Sequence, residues 1–168
     1  MNYSIEVNAV QIGNVGATKL SNMETFENFT EFEKRKHIEF FLPYYQENGW
    51  KVLQDNLGYN TDWDIKLLKE GKTYLIDEKA RQKEYGDFLV EIVQDLKTGN
   101  KGWLFKPKDY YFYASWKNPE EKEPTSFYII DALKLQDFVI GNWKNLLLKM
   151  EISEKGWGTT LFVKINWQ

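Results

Sequence analysis

The sequence predicts an α+β (mixed α/β) domain in which a central mixed sheet is flanked by helices. Three observations carry that expectation. A stripe of phenylalanines at helical spacing (Phe26, Phe29, Phe32, Phe40, Phe41) comes first. Alternating or apolar runs of strand length then fill residues 50 to 116. A second helical stretch and a closing strand end the chain.

Residues 1 to 22 are polar and glycine-containing, and read as a short strand or a loose N-terminal arm. In the helix at 24 to 48, acids (Glu24, Glu27, Glu31) precede a basic centre (Lys34, Arg35, Lys36), an order that suits the helix dipole. Pro43 is expected to end or kink it, and Gly49 closes the segment. "WKVLQD" at 50 to 55 is the first expected strand, and "TDWDIKLLKEGKTYLIDEKA" at 61 to 80 a hairpin turning at Glu70-Gly71. "DFLVEIVQDLKTGNKGWLF" and "DYYFYASW" supply further strands, the first pair joined across Gly99-Asn100. "NPEEKEPT" is a charged loop. "SFYIIDALKLQDFVIGNWKNLLLKM" passes from strand to helix with an interruption at Gly141, and "TTLFVKINW" closes as a strand.

At 168 residues and 42% apolar content the chain is expected to fold as a single domain over its whole length. Seven Trp, ten Tyr and eleven Phe suggest a sheet-rich core with stacking surfaces to spare. The sequence holds no Cys, which excludes disulfides, thiol catalysis and Cys-based metal sites. A single histidine, His37, argues against a His-rich metal site or a His-dependent triad. Beside Ile38 and Phe40 it reads as a packed or surface residue rather than a catalytic one. The N-terminus lacks the pattern of a signal peptide, and no window approaches a membrane span, so the expected address is the cytoplasm. A net charge of −3 argues against non-specific polyanion binding by the whole surface, but leaves room for a local basic stripe.

The hairpin carries the chemistry. A tight turn at Glu70-Gly71 pairs residues whose numbers sum to 141, placing Ile65, Leu67, Tyr74 and Ile76 on one apolar face. Asp62, Asp64, Asp77 and Lys79 then gather on the other, with Asp64 opposite Asp77. Opposed side chains have Cβ atoms about 5 Å apart, and like charges there are destabilising unless a cation lies between them. Carboxylate oxygens suit Mg²⁺, Mn²⁺ or Ca²⁺. Glu78 points to the opposite face and is not an expected ligand. The plainer reading is a frayed, solvated strand end with salt bridges, and a bulge at Gly71 would shift the register by one residue.

Asp64 followed by "IKL", then Asp77 and Lys79 in "LIDEKA", resembles the motif of the PD-(D/E)XK nuclease superfamily: an acid on the second strand, then (Asp/Glu)-x-Lys on the third. The likeness covers roughly residues 24 to 116 and is also similar to small bacterial and phage-type proteins placed in that superfamily. No Pro precedes the first acid, and the third position is Asp rather than the commoner Glu. The resemblance implies a restriction-endonuclease-like core of helix, three-strand meander, second helix and further strand. It also implies Mg²⁺ (or Mn²⁺) held by Asp64 and Asp77, with Lys79 acting on the attacking water or the developing charge. The activity implied is a metal-dependent endonuclease hydrolysing DNA, of restriction, repair or phage type. Glu91 in "FLVEI" either adds a ligand or orients Lys79, or is an exposed strand residue; Asp62 is the alternative to Asp64.

The lysines of "KTGNKGWLFKPK" (Lys97, Lys101, Lys106, Lys108), with Arg81 and Lys83, form a basic set suited to phosphates, while Trp103 and Phe105 read as core. DNA is the implied partner, a homodimer is left open, and no membrane is involved. RNA as substrate, or a non-catalytic interaction or inhibitory module on the same scaffold, are the alternatives. The acidic pI of about 5.4 favours the second of these.

Overall fold

The computed structural model describes residues 31–57, 62–83, 86–147, 149–155 and 158–166. The expected N-terminal arm, Phe26, Phe29 and the first turns of the helix at 24 to 48 lie outside these residues. From residue 31 the helix, α1, is α-helical over 31–36, π-helical over His37–Phe41 and α-helical again over Leu42–Glu47. The strands β1 (Lys51–Asp55), β2 (Ile65–Lys69) and β3 (Lys72–Arg81) follow. Next come β4 (Asp87–Asp95), β5 (Asn100–Lys101), a 3₁₀ turn (Trp103–Phe105), β6 (Tyr110–Ser115) and β7 (Ser126–Asp131). The helices α2 (Ala132–Gly141) and α3 (Trp143–Leu147) precede β8 (Met150–Lys155) and β9 (Gly158–Asn166).

The mixed sheet has the order β1-β2-β3-β6-β7, antiparallel throughout except where β3 and β6 run parallel. In the β2–β3 hairpin Lys69 pairs with Lys72, Leu67 with Tyr74 and Ile65 with Ile76, the expected register. Glu70 and Gly71 both have positive φ (51° and 75°). That is the backbone of a two-residue turn whose twist matches the strands, so no bulge intervenes.

β6 explains the layering. Phe112 and Ala114 point to one face, Tyr111 and Tyr113 to the other, and all four are buried. On the first face Ile65, Leu67 and Ile76 pack beneath Phe32, Phe40, Phe41 and Tyr45 of α1. Edge-to-face ring contacts bind this layer, among them Phe41–Phe112 at 4.9 Å and Phe32–Trp116 at 5.6 Å. Arg35 donates to Glu120 (2.9 and 3.2 Å) and to the Pro119 carbonyl (2.9 Å). The fully buried Lys36 reaches Glu39 and the Glu121 carbonyl. The charged loop at 118 to 125 is therefore a counter-surface for α1.

The opposite face is covered differently from the expectation of helices alone. A second, antiparallel sheet of order β5-β4-β9-β8 lies there with α2. Phe88, Val90, Ile92 and Val163 meet Tyr111, Tyr113 and the α2 residues Ala132, Leu135 and Val139. "GWLF" is a 3₁₀ turn, not the expected strand. Gly102 lies so close to β4 that a Cβ there would meet the Glu91 carbonyl oxygen at 2.3 Å, and its N–H reaches the Ile92 carbonyl at 2.9 Å. Beyond it the Leu104 carbonyl accepts from Tyr111 Oη (3.2 Å) and Gln136 Nε2 (2.7 Å), so the chain bends away from the ladder. Among the described residues no helix is long and apolar enough to cross a membrane.

Candidate active site

β3 continues its alternation into the charged stretch, and this decides where each charge goes. Glu78 is in phase with Ile76 and Ala80 beneath α1, whereas Asp77 and Lys79 face the second sheet. Both acids are buried, at 4% and 6% exposure. A carboxylate under an apolar helix needs a partner. Glu78 finds it in His37, whose Nδ1 is 2.6 Å from Glu78 Oε2 while Nε2 is 3.0 Å from Asp55 Oδ2. Burial opposes charging of the ring, but the hydrogen bonds and charges of Glu78 and Asp55 outweigh it and raise the imidazole to about 9. Burial holds the Glu78 carboxyl above its usual value, with His37 pulling the other way. The strand alternation predicts that Glu78 points away from Asp77, as it does; its bond to His37 was not expected. Retrospectively, His37 shares its helical phase with Phe40, Phe41 and Tyr45, and Glu78 its strand phase with Ile76.

Asp64 lies one residue before β2, where its N–H donates to the Ile76 carbonyl at 3.0 Å. It is not a directly opposed partner of Asp77 within the ladder, which ends at Ile65–Ile76. Its Oδ2 instead accepts the Glu78 N–H at 2.7 Å. Held there, the carboxylate is close enough to Asp77 for the two acids to act on each other electrostatically. Burial, reinforced by the charges of Asp77 and Glu78, holds the Asp64 carboxyl well above the usual range despite the pull of Lys79. Asp62, the alternative acid, is half-exposed and lies 3.9 Å from Lys106.

Asp77 has both oxygens engaged. Lys79 Nζ donates to Oδ1, and Lys108 Nζ to Oδ2. Burial alone would push this carboxyl up; the two ammoniums more than offset it and hold it below its usual value. Burial opposes the charge of Lys79, yet Asp77, Asp64 and Glu33 raise its affinity for the proton. The indole of Trp103 lies 5.5 Å from Lys79 Nζ and 6.0 Å from Lys108 Nζ, and the Tyr111 ring 4.9 Å from Lys108 Nζ.

Lys108 corrects the sequence reading. The sequence puts it in a basic set suited to phosphates, whereas its side chain is wholly enclosed and ion-paired with Asp77. Lys97 and Lys101 are exposed at the β4–β5 turn, Lys83 is exposed after β3, and Lys106 is partly buried near Asp62. Arg81 donates to Tyr113 Oη at 2.6 Å and stacks near its ring. Glu91 is on β4 of the second sheet, where Oε1 accepts the Trp103 N–H at 3.2 Å. It thus fixes the aromatic residue that underlies both lysines, and is buried rather than exposed.

A small cavity of about 50 Å³ opens beside Asp64 and Lys79, lined also by Glu78 and by Glu33 of α1. It has room for a cation or a few waters but not for a nucleotide. Glu33 escaped the sequence reading because only tertiary packing brings α1 over the hairpin end. A larger groove near the start of β3 is lined by Trp50, Tyr74, Tyr110 and Lys69.

Among the described residues no cluster of three or more acidic or histidine side chains is arranged to hold a metal ion. What the site offers a cation is the two carboxylates of Asp64 and Asp77, the latter with a lysine on each oxygen. Mg²⁺ is commonly held by one or two carboxylates, with water and substrate oxygens completing its shell. Comparison with protein-family models, curated proteins and solved structures returned no match.

Proposed function

We propose that the chain is a metal-dependent phosphodiesterase acting on DNA, a nuclease of PD-(D/E)XK type. The observation that carries this reading is the meeting of Asp64, Asp77 and Lys79 at the end of the β2–β3 hairpin. Asp64 and Asp77 would hold Mg²⁺ or Mn²⁺. When bound, the ion supplies Lewis-acid polarisation of a phosphoryl oxygen and a water nucleophilic at neutral pH. Lys79 places a fixed positive charge beside the acids, where negative charge develops on the phosphoryl group. Glu91, through Trp103, keeps that ammonium over a flat apolar surface. The preceding helix and the antiparallel β1–β2–β3 meander also support this reading, since they follow the order the superfamily core implies. A departure lies between β3 and β6, where β4, β5 and a 3₁₀ turn replace the expected helix.

The runner-up, a non-catalytic module, draws on the same carboxylate: Asp77 is nearly enclosed and already neutralised by two lysines. Incubation of the chain with duplex, branched and single-stranded DNA, and with RNA, separates the readings. With Mg²⁺ or Mn²⁺ the nuclease reading requires strand scission that a chelator abolishes. Intact substrates under every condition leave the non-catalytic reading.

A further inference from the structure

Lys108 reaches Asp77 from the segment before β6, 31 residues away in sequence, with its side chain fully enclosed. Burying an ammonium is costly, and it is tolerated here because Asp77 Oδ2 and the faces of Trp103 and Tyr111 surround it. Asp77 already has Lys79 on its other oxygen, so one carboxylate carries two cations. Each lysine donates to Asp77 and has Asp64 as a further anionic neighbour, but Lys79 also has Glu33, whereas Lys108 has the repelling charge of Lys79.

Building on the nuclease reading, we propose that Lys108 is a second cation of the site that occupies Asp77 until a divalent ion takes its place, and that its released ammonium then binds the anionic phosphoryl group. A divalent cation and two ammoniums cannot share one carboxylate without strong mutual repulsion, so metal entry must displace a lysine. Lys108 is the less supported of the two, and it leaves first. Its displacement places a positive charge beside the metal, opposite to the sign of a phosphodiester. A purely structural Lys108 would instead be a fixed counter-ion whose removal weakens Asp77 and everything Asp77 holds.

These alternatives predict opposite signs for metal binding. Mn²⁺ titration calorimetry on the full chain, with circular dichroism to check folding, compares wild type with Lys108→Met and Lys108→Arg. The exchange role predicts about tenfold tighter Mn²⁺ binding by Lys108→Met, because the competing charge is gone. It predicts weaker binding by Lys108→Arg, whose guanidinium can hold both carboxylate oxygens. If Lys108→Met does not fold, the Lys108→Arg result decides. Inorganic phosphate added with Mn²⁺ should bind wild type more tightly than Lys108→Met. Equal or weaker Mn²⁺ binding by Lys108→Met, or unchanged binding by a folded Lys108→Arg, overturns the exchange role while the nuclease reading stands. If wild type and both variants bind no Mn²⁺, both fall together.

Discussion

Each charge at the end of β3 is answered by a specific partner, and the partner defines what each residue can do. Glu78 belongs to folding. Its bond to His37 joins α1 to β3, and Asp55 extends the link to β1. The imidazole titrates at about 9 in the folded chain and about 6.5 when unfolded. Its stabilising contribution is therefore complete below pH 6.5 and fades as the pH rises to about 9. Burial makes the loss appreciable, on the order of 3 kcal/mol. Urea midpoints measured from pH 6 to 9.5 should fall for wild type and stay nearly flat for His37→Gln. Parallel curves would remove His37 from this role. The strand alternation put Glu78 on the correct face, but it left His37 open between packed and surface, and nothing local announces that the two meet across a helix–sheet interface.

The hairpin was the most legible element, because its turn chemistry and its alternation demand the same register. Glu70 carries the cost, holding φ at 51° where a residue without a short polar side chain is strained. Glu70→Asn should therefore raise stability by about 0.5–1 kcal/mol in a denaturant melt, with no change in pairing. A loss of stability would mean that the Glu70 side chain matters more than its backbone. The neighbouring 3₁₀ turn was not legible: apolar Trp103, Leu104 and Phe105 fit a strand equally well. What bends the chain is the contact of Gly102 with the β4 backbone, a tertiary fact. Gly102→Ala should cost about 1–3 kcal/mol, since backbone must move to admit the methyl group. Because Trp103 follows directly, the same change should lower any metal-dependent activity by more than the loss of folded protein accounts for. Unaltered stability would show that β4 gives way easily.

For the molecule as a whole, the sequence reading found the mixed sheet and its helical cover but missed the second sheet. β8 ("MEISEK") alternates too weakly with charge to stand out, and although it pairs with β9, the next strand in the chain, that pair joins the rest of its sheet only through the non-local pairing of β9 with β4. That sheet encloses the face bearing Asp77, so the site is drier and its lysines more tightly held than a bare hairpin would suggest. On the proposed function, local positive charge is what would bring an acidic chain to DNA, and Lys101 is exposed at the β4–β5 turn. Lys101→Ala should weaken DNA binding modestly and lower the slope of log affinity against log salt by about 0.9. An unchanged slope would exclude that turn from the interface. The central claim is that Asp64, Asp77 and Lys79 form one metal-dependent hydrolytic site. It is tested most directly by measuring DNA cleavage and Mn²⁺ binding together in wild type, Asp77→Asn and Lys79→Ala. Wild type should bind and cleave, Asp77→Asn should do neither, and Lys79→Ala should keep binding while losing about 10²-fold in cleavage rate. Full cleavage by Asp77→Asn, or no cleavage by a wild type that binds metal and DNA, would contradict it.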